Sequence, residues 1–331
     1  MMMFCHIIFS SLITICLSLI LTILFRSLFL RANIIGIDQF KIDKPKIPTC
    51  VGISYGITSL LAIIVLYLLG CVDVTIVYSY SLMMIICIFV GLIDDFYDPP
   101  GIFKPIAMLF AGIPLIIFKC YTPYLRTILY GGYNLPILYP FMILLAFSVT
   151  SNTVNMLDVI NGSAVIGVFM VLLSGLLASI ITKSSLGVII SIILLSSLIG
   201  ILLFNIYPAK IFLGNVGSLC MGASIAFLAV TSKIELPLVV AMFPFIHNSF
   251  YFLAKVKGFI EHKKLNVNIT FLDNHGFIVD AEDKRAPLTL LRLLVSSSPR
   301  KENELLSDML LLFTVSLIFS VITSYLVTIR V

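Results

Sequence analysis

The chain has 331 residues, of which 60% are apolar and 11% are charged, and its mean hydropathy is +1.16. Soluble domains are only about half apolar, so this composition excludes an ordinary soluble enzyme and favours a lipid environment. The net charge of +5 fits the orientation of a membrane protein, and we expect no nucleic acid partner.

Long runs without charged residues predict about ten transmembrane helices, because a helix needs roughly 20 apolar residues to cross a bilayer. The predicted spans are 1–25, 50–72, 74–93, 105–118, 127–157, 159–182, 184–209, 211–232, 236–254 and 309–329. The fourth run is short, but the lysines at its ends could snorkel to the interface. The first run lacks the basic start and the cleavage site of a signal peptide, so we expect a retained helix.

The fold class predicted is an all-α integral membrane protein. We expect one transmembrane catalytic domain over 1–331, with a cytosolic loop subdomain at 255–305 between the ninth and tenth helices. Within that loop, β-forming residues on both sides of an Asn-His-Gly turn at 274–276 predict a small β-hairpin. The Leu-rich run 288–295 predicts an amphipathic helix on the membrane surface. The cysteines stand singly and indicate neither a zinc site nor a disulfide framework.

Basic residues are distributed unequally between the two sets of loops. The loops at 31–49, 94–104, 156–160, 205–210 and 255–305 share one side and hold fifteen of the twenty-one Lys and Arg residues. The positive-inside rule therefore predicts that this side is cytosolic and that both termini are on the opposite, lumenal side. The opposite loops are mostly very short, so we expect a functional site on the cytosolic face.

A cluster of carboxylates ends the third predicted helix, in the run from Gly91 through Asp94 and Asp95 to Asp98. Anions at a helix C-terminus are disfavoured by about 0.3–1 kcal/mol each, and adjacent like charges add repulsion. A plain polar helix end is therefore a weaker interpretation than a role in metal binding, phosphate binding or proton transfer. Lys104 follows shortly and could neutralise these carboxylates or contact a phosphate.

A second cluster, formed by Asn152, Asn155, Asp158 and Asn161, closes the fifth predicted helix. Asn155 and Asp158 are three residues apart and would share a helix face. Such polar groups at the end of an apolar helix are costly unless something binds them.

The third motif runs from Phe212 through Gly214 and Asn215 to Gly217 and opens the eighth predicted helix. A glycine-containing helix N-terminus lets backbone amides approach an anion, although small residues in membrane helices are also ordinary packing. Together the three motifs suit a divalent cation bridging a pyrophosphate, with lysine and helix amides balancing the remaining charge.

These residues resemble the polyprenyl-phosphate N-acetylhexosamine-1-phosphate transferases. The resemblance rests on Lys46-Ile-Pro48, the Gly-Leu-Ile-Asp-Asp run, the spacing N-x-x-N-x-x-x-x-x-N-G and the pattern F-x-G-x-x-G. Within this family the chain resembles eukaryotic members that use UDP-GlcNAc and dolichyl phosphate. This implies transfer of GlcNAc-1-phosphate to dolichyl or another polyprenyl phosphate in the endoplasmic reticulum membrane, the first step of lipid-linked oligosaccharide synthesis, and inhibition by tunicamycin.

The resemblance also implies roles for individual residues. The expected catalytic residues are Asp94, Asp95 and Lys104. The expected ligands of Mg²⁺ or Mn²⁺ are Asn155, Asn215 and Asp158. The expected substrate contacts are Asn152, Asn161, Phe212, Gly214, His262, Lys263 and Lys264, with Phe212 and Asn161 at the uracil.

Two positions depart from the family pattern. Asn215 stands where the family has a magnesium-binding aspartate, and we hypothesise that the carboxylate of Asp158 supplies the missing charge. The run Glu261-His-Lys-Lys264 stands where eukaryotic members carry an Arg-His-Arg-like stretch, and lysine lacks the bidentate fork of arginine.

Two other interpretations remain open at this point. A catalytically degenerate member would bind nucleotide-sugar or lipid without turnover, and the loss of a carboxylate at Asn215 favours it. A secondary transporter would carry charges near the bilayer midplane on paired halves, whereas these charges gather at one face. The oligomeric state is open, with a homodimer as one candidate.

Overall fold

The computed structural model describes residues 2–128, 131–256, 269–283 and 285–329. These ranges contain thirteen helices and six short strands. The helices are α1 (Met2–Arg31), α2 (Ile53–Leu68), α3 (Val74–Tyr97), α4 (Phe103–Phe110), α5 (Ile113–Ile117), α6 (Leu138–Met156), α7 (Ser163–Ile181), α8 (Ser185–Asn205), α9 (Gly214–Ser232), α10 (Glu235–Ala241), α11 (Phe243–Val256), α12 (Leu290–Val295) and α13 (Glu302–Ile329). The strands are β1 (Ile35–Ile37), β2 (Lys46–Pro48), β3 (Tyr124–Thr127), β4 (Gly131–Asn134), β5 (Thr270–Leu272) and β6 (Ile278–Asp280).

Each of the ten predicted spans contains a helix or a pair of short helices. Among the described residues, α1, α3, α7, α8, α9 and α13 are long and apolar enough to cross a bilayer, and the pair α10–α11, bent by 66°, raises the number to seven. The segments of α2 and α4–α5 are shorter apolar helices. The protein is therefore a mostly helical, multi-pass membrane protein, and the total of ten crossings stays a prediction.

The fifth predicted span is too long at its start. Residues 124–127 and 131–134 form the antiparallel pair of β3 and β4, with Tyr124 opposite Asn134 and Thr127 opposite Gly131. Helix α6 begins only at Leu138. A run without charged residues indicates an apolar segment, but it does not show whether that segment begins as a pair of strands or as a helix.

Helix α9 lies at the centre of the bundle and packs against α2, α3, α6, α7 and α8. Its backbone approaches its neighbours closely: a Cβ at Gly91 of α3 would lie 2.3 Å from the Cα of Val216, and one at Gly222 would lie 2.4 Å from the Cα of Ser151. Small residues permit such close approaches. Because lipid tails are as apolar as the side chains, close van der Waals packing holds membrane helices together and the hydrophobic effect does not. The polar ends of α3, α6 and α9 are thereby brought together.

The first hairpin is fixed to the start of α9. Strands β1 and β2 pair antiparallel, and the backbone amide of Phe212 donates to the carbonyl of Pro48 at 2.8 Å. The amide of Val51 donates in turn to the carbonyl of Phe212 at 3.1 Å. The loop that follows β1 consequently lies beside the N-terminus of α9.

The loop between α11 and α13 contains an antiparallel pair, β5 and β6, around the predicted Asn-His-Gly turn. Helix α12 is shorter than the predicted run and begins after Thr289, whose hydroxyl accepts from the amide of Arg292. Arg292 forms an ion pair with Asp280 of β6 at 2.8 Å. Asn248 of α11 accepts a hydrogen bond from the amide of Leu290 at 2.9 Å, which attaches α12 to the bundle.

The contact between α3 and α9 predicts that Gly91→Ala destabilises the protein by about 1–3 kcal/mol, because the added methyl group meets backbone that cannot move aside. Gly56→Ala is the matched helical control, since its Cβ would meet the flexible end of Ile88 at 3.1 Å. Thermal unfolding of both variants in detergent measures the difference. Equal melting temperatures for Gly91→Ala and the wild type would contradict this packing.

Candidate active site

A cavity of about 790 Å³ lies where α3, α6 and α9 meet the loop after β1. Every described residue that the sequence nominated for a site lines it. These residues are Asp94, Asp95, Lys104, Asn152, Asn155, Asp158, Asn161, Phe212, Gly214 and Asn215. His262, Lys263 and Lys264 lie outside the described residues, as does Glu261.

Asp94 lies in the last turn of α3 and is only 5% exposed. Its Oδ2 atom forms an ion pair with Nζ of Lys104 at 3.0 Å, and Lys104 lies in the first turn of α4. Asp98 ends α3 in a left-handed conformation with φ of 47°, which turns the chain back towards α4. The Oδ1 atom of Asp94 is buried and accepts no hydrogen bond from any residue in the described ranges.

Asp95 is bound to the N-terminus of α9. It accepts hydrogen bonds from the amide of Asn215 at 2.8 Å, from Nδ2 of Asn215 at 2.9 Å and from the amide of Val216 at 3.1 Å. Helix N-termini stabilise anions through free amides and the helix dipole. Two of these amides do bind an anion, but that anion is the carboxylate of Asp95 and not a substrate.

Glycine is required at Gly214, the first residue of α9. Its φ is +69°, and a Cβ there would lie 2.7 Å from Oδ2 of Asp95 and 2.8 Å from the Cα of Cys50. This close approach allows Asp95 to reach the helix N-terminus.

Asn155, in the last turn of α6, extends this network to a third helix. Its Nδ2 atom donates to Oδ1 of Asn215 at 2.7 Å and to Oγ of Ser218 at 2.8 Å. Both hydrogen bonds use the amide nitrogen, so its carbonyl oxygen is the atom that a cation could use.

Asp158 does not lie on the helix face predicted for it, because α6 ends at Met156. It occupies the turn that follows, where its amide donates to the carbonyl of Asn155 at 3.3 Å, so both residues still line the cavity. Burial, assisted by the nearby negative charge of Asp95, raises the pKa of Asp158 to about 7. A cation or a proton at this position would relieve the unfavourable charge.

Asn161 is held by residues that sequence reasoning missed. Its Nδ2 atom donates to Oδ2 of Asp38 at 2.9 Å, and its backbone amide donates to Oε1 of Glu302 at 2.8 Å. The lysine Lys41 lies between the two carboxylates, 3.6 Å from Asp38 and in direct contact with Glu302. Asp38, Lys41 and Glu302 are each more than 100 positions from Asn161 in the sequence. A feature that could have indicated Glu302 is the pair of acidic residues at the start of α13.

Cys50 is a further residue near the site that the sequence did not indicate. It adopts a left-handed conformation with φ of 63° and is buried beside Asp95.

The remaining walls of the cavity differ in character. The ring of Phe212 packs on Gly36, where a Cβ would lie 3.0 Å from Cδ2 of the ring. On another side the lining is apolar and comes from α4, α6 and α11, through Pro105, Val149, Ile246 and Phe250. Val149 and Phe250 are 46% and 66% exposed, so the polar part of the cavity adjoins a surface suited to lipid.

The donor set can be compared with what a divalent cation needs. No group of three His, Cys, Asp or Glu side chains in the described part of the chain is arranged to hold a metal ion. Magnesium, however, commonly uses one or two carboxylates and completes its shell with water and substrate phosphate. The carboxylate of Asp158, together with the carbonyl oxygen of Asn155, fits that requirement.

Comparison with known proteins gives consistent matches. Residues 77–233 match the family described as Glycosyl transferase family 4. Proteins of Saccharolobus solfataricus and Sulfolobus acidocaldarius are both named "Putative UDP-N-acetylglucosamine--dolichyl-phosphate N-acetylglucosaminephosphotransferase". The first is 30% identical over 224 residues, covering 65% of this chain and 68% of that protein. The second is 30% identical over 253 residues, covering 73% and 74%.

A bacterial relative is also similar. The phospho-N-acetylmuramoyl-pentapeptide-transferase of Campylobacter jejuni is 30% identical over 223 residues, covering 58% of this chain and 63% of that protein. The family match spans α3 to α9, the elements that carry Asp94, Asp95, Asn155 and Asn215. The chain therefore belongs to glycosyl transferase family 4, within the superfamily of polyprenyl-phosphate hexosamine-1-phosphate transferases.

Proposed function

We propose that this membrane protein transfers GlcNAc-1-phosphate from UDP-GlcNAc to dolichyl or another polyprenyl phosphate, giving lipid-diphosphate-GlcNAc and UMP. Membership of the family supports the transfer of a sugar phosphate to a polyprenyl phosphate. The observation that carries the proposal is a single cavity in which Asp94, Asp95 and Lys104 stand beside an apolar wall. Such a cavity suits two substrates, a charged diphosphate and a lipid.

In the proposed reaction an oxygen of the lipid phosphate attacks the sugar-linked phosphorus of UDP-GlcNAc. The new P–O bond forms as the bond to the UMP oxygen breaks, and UMP leaves with the electron pair. Asp94 is better suited than Asp95 to accept a proton, because its Oδ1 atom has no hydrogen bond from the described residues whereas Asp95 is fully engaged at α9. Lys104 holds Asp94 in place and supplies positive charge for a phosphate.

Magnesium or manganese is the proposed cofactor, held by Asp158, Asn155 and Asn215. When bound, the cation would neutralise negative charge on the diphosphate. The side chain of Asn215 is already hydrogen-bonded to Asp95 and Asn155. We therefore assign to Asp158 most of the negative charge that the cation would meet. This extends the hypothesis that Asp158 replaces the aspartate expected at Asn215.

The residues that line each wall of the cavity support a proposal for where the nucleotide and the lipid bind. Phe212 and Asn161 are proposed to bind the uracil, and Asn152 and Gly214 to line the path of the diphosphate. His262, Lys263 and Lys264, outside the described residues, are proposed to contact the sugar or diphosphate. The apolar wall at α11 would accept the first isoprene units of the lipid.

The proposed location is the endoplasmic reticulum membrane, with the site facing the cytosol and both termini in the lumen. The excess of Lys and Arg in one set of loops supports this orientation. The relatives whose names carry this activity are archaeal, so the choice of organelle rests on the sequence resemblance. A homodimer is one possible assembly.

A catalytically degenerate member is the second candidate. Asn215 favours it, because a carboxylate is missing from the expected set. The buried ion pair between Asp94 and Lys104 argues against it, since a buried pair is costly to retain without a use.

Transfer is measured with purified protein, sugar-labelled UDP-GlcNAc and dolichyl phosphate, scoring labelled lipid and UMP. We expect Asp94→Asn to lower the rate at least about 100-fold, since loss of a catalytic acid–base group typically costs that much. Asp73→Asn, at the opposite end of the same helix and exposed, is the control and should leave the rate unchanged. Labelled lipid from Asp94→Asn at the wild-type rate would contradict the assignment, and tunicamycin should block the wild type.

The compensation hypothesis predicts a change in metal dependence. Asp158→Asn removes a carboxylate from the cavity and should raise the magnesium concentration for half-maximal transfer by about tenfold, because fewer charged ligands weaken cation binding. Adding Asn215→Asp in the same chain returns one carboxylate and should restore much of the affinity. An unchanged magnesium titration for Asp158→Asn would remove the hypothesis while leaving the enzymatic proposal intact.

A further inference from the structure

Four polar side chains from three distant segments meet at one corner of the cavity. Asp38 and Lys41 come from the loop after β1, Asn161 from the turn before α7, and Glu302 from the first turn of α13. Asp38 and Glu302 are each 4% exposed, and Asn161 is 5% exposed. We refer to these four residues as the Glu302 cluster.

The charges of the Glu302 cluster do not balance. Two carboxylates face one ammonium group, whose Nζ atom also lies 4.3 Å from the ring centre of Tyr207. Buried ionic groups carry a desolvation cost that their attraction often fails to offset, so stability alone is a weak reason for this arrangement. A buried polar network can instead serve to hold its side chains in defined positions.

The hydrogen bonds of the cluster converge on Asn161. Glu302 accepts from its backbone amide, which fixes the turn of residues 157–162, and Asp38 accepts from its side-chain nitrogen, which fixes the plane of the amide. A primary amide has a second N–H and a carbonyl oxygen. No other hydrogen bond to this side-chain amide comes from the described residues, so one donor and one acceptor keep a defined direction. They are the complement of the N–H and carbonyl edge of a pyrimidine such as uracil.

Glu302 is also connected to the loop subdomain. Ile278 of β6 and Arg300 exchange two backbone hydrogen bonds, of 2.8 Å and 3.2 Å, only two residues before Glu302. The start of α13 is thus fixed from the hairpin on one side and from Lys41 on the other, so the Glu302 carboxylate has little freedom to move.

We propose that Glu302, held by Lys41, is a positioning residue for nucleotide recognition, acting through the backbone of Asn161. The inference rests on the proposed function, because it takes Asn161 as a contact of the uracil base. It assigns Glu302 an effect on the nucleotide substrate and none on the lipid phosphate.

The test compares Glu302→Gln with the wild type, using the full-length protein in lipid nanodiscs. Glutamine keeps the size of the side chain and one oxygen that can accept from the amide of Asn161. The charge is lost, so the atom that faces the ammonium of Lys41 is either the amide nitrogen or an uncharged oxygen. We expect the KM for UDP-GlcNAc and the Kd for UMP to rise about tenfold, which is about 1.4 kcal/mol. The kcat and the KM for dolichyl phosphate should stay within about twofold.

Two further variants keep the result interpretable. Glu304→Gln removes an exposed carboxylate from the same turn of α13 and should change none of these constants. Lys41→Met removes the group that holds Glu302 and should raise the same two constants, with less than additive effect in the double variant because the residues act together. If Glu302→Gln does not fold, Lys41→Met supplies the measurement.

The outcomes separate the two proposals. A wild-type protein that neither transfers GlcNAc-1-phosphate nor binds UMP would overturn the proposed function and this inference with it. An active wild type with an unchanged KM for UDP-GlcNAc in Glu302→Gln and Lys41→Met would overturn the inference alone. So would a fall in kcat or melting temperature with no change in UMP affinity, since that result indicates a purely structural role.

Discussion

The hydrogen bonds between Asp95 and the N-terminus of α9 determine how the polar end of this bundle is built. A carboxylate at the C-terminal end of α3 is unfavourable within its own helix, but the first amides of α9 supply the opposite dipole at 2.8–3.1 Å. The unfavourable end of one helix is thereby stabilised by the favourable end of another. Asn215 then connects Asp95 to Asn155, and three helices share one network.

That network leaves the neighbouring Asp94 in different surroundings, which is why we propose the reactive role for Asp94 and not for Asp95. Both oxygens of Asp95 accept hydrogen bonds from the start of α9. One oxygen of Asp94 is paired with Lys104, and the other has no donor among the described residues. Pairs of acidic groups with contrasting surroundings are the usual way in which one fold separates a structural charge from a reactive one. The close approach at Gly91 and Gly214 is what allows this geometry.

The sequence predicted the elements that depend on local composition. Ten apolar runs coincide with helices or helix pairs, and all of the described residues nominated for the site line one cavity. It was wrong after the end of α6, where Asp158 lies in a turn and not on a helix face shared with Asn155, and before its start, where residues 124–127 pair with residues 131–134 as strands. Asp38 and Glu302 were missed because their partner Asn161 is over 100 residues away in the chain.

The asparagine at position 215 can be understood from its contacts. Its Nδ2 atom lies 2.9 Å from Oδ1 of Asp95, so an aspartate there would place two carboxylates against each other in a partly buried site. Such a pair requires a cation or a shared proton to be tolerated. With asparagine the network is satisfied by hydrogen bonds alone. In the proposed function the charge that a cation would meet is that of Asp158, so the cavity keeps a carboxylate for this role, which is the physical argument for an active transferase over a degenerate one.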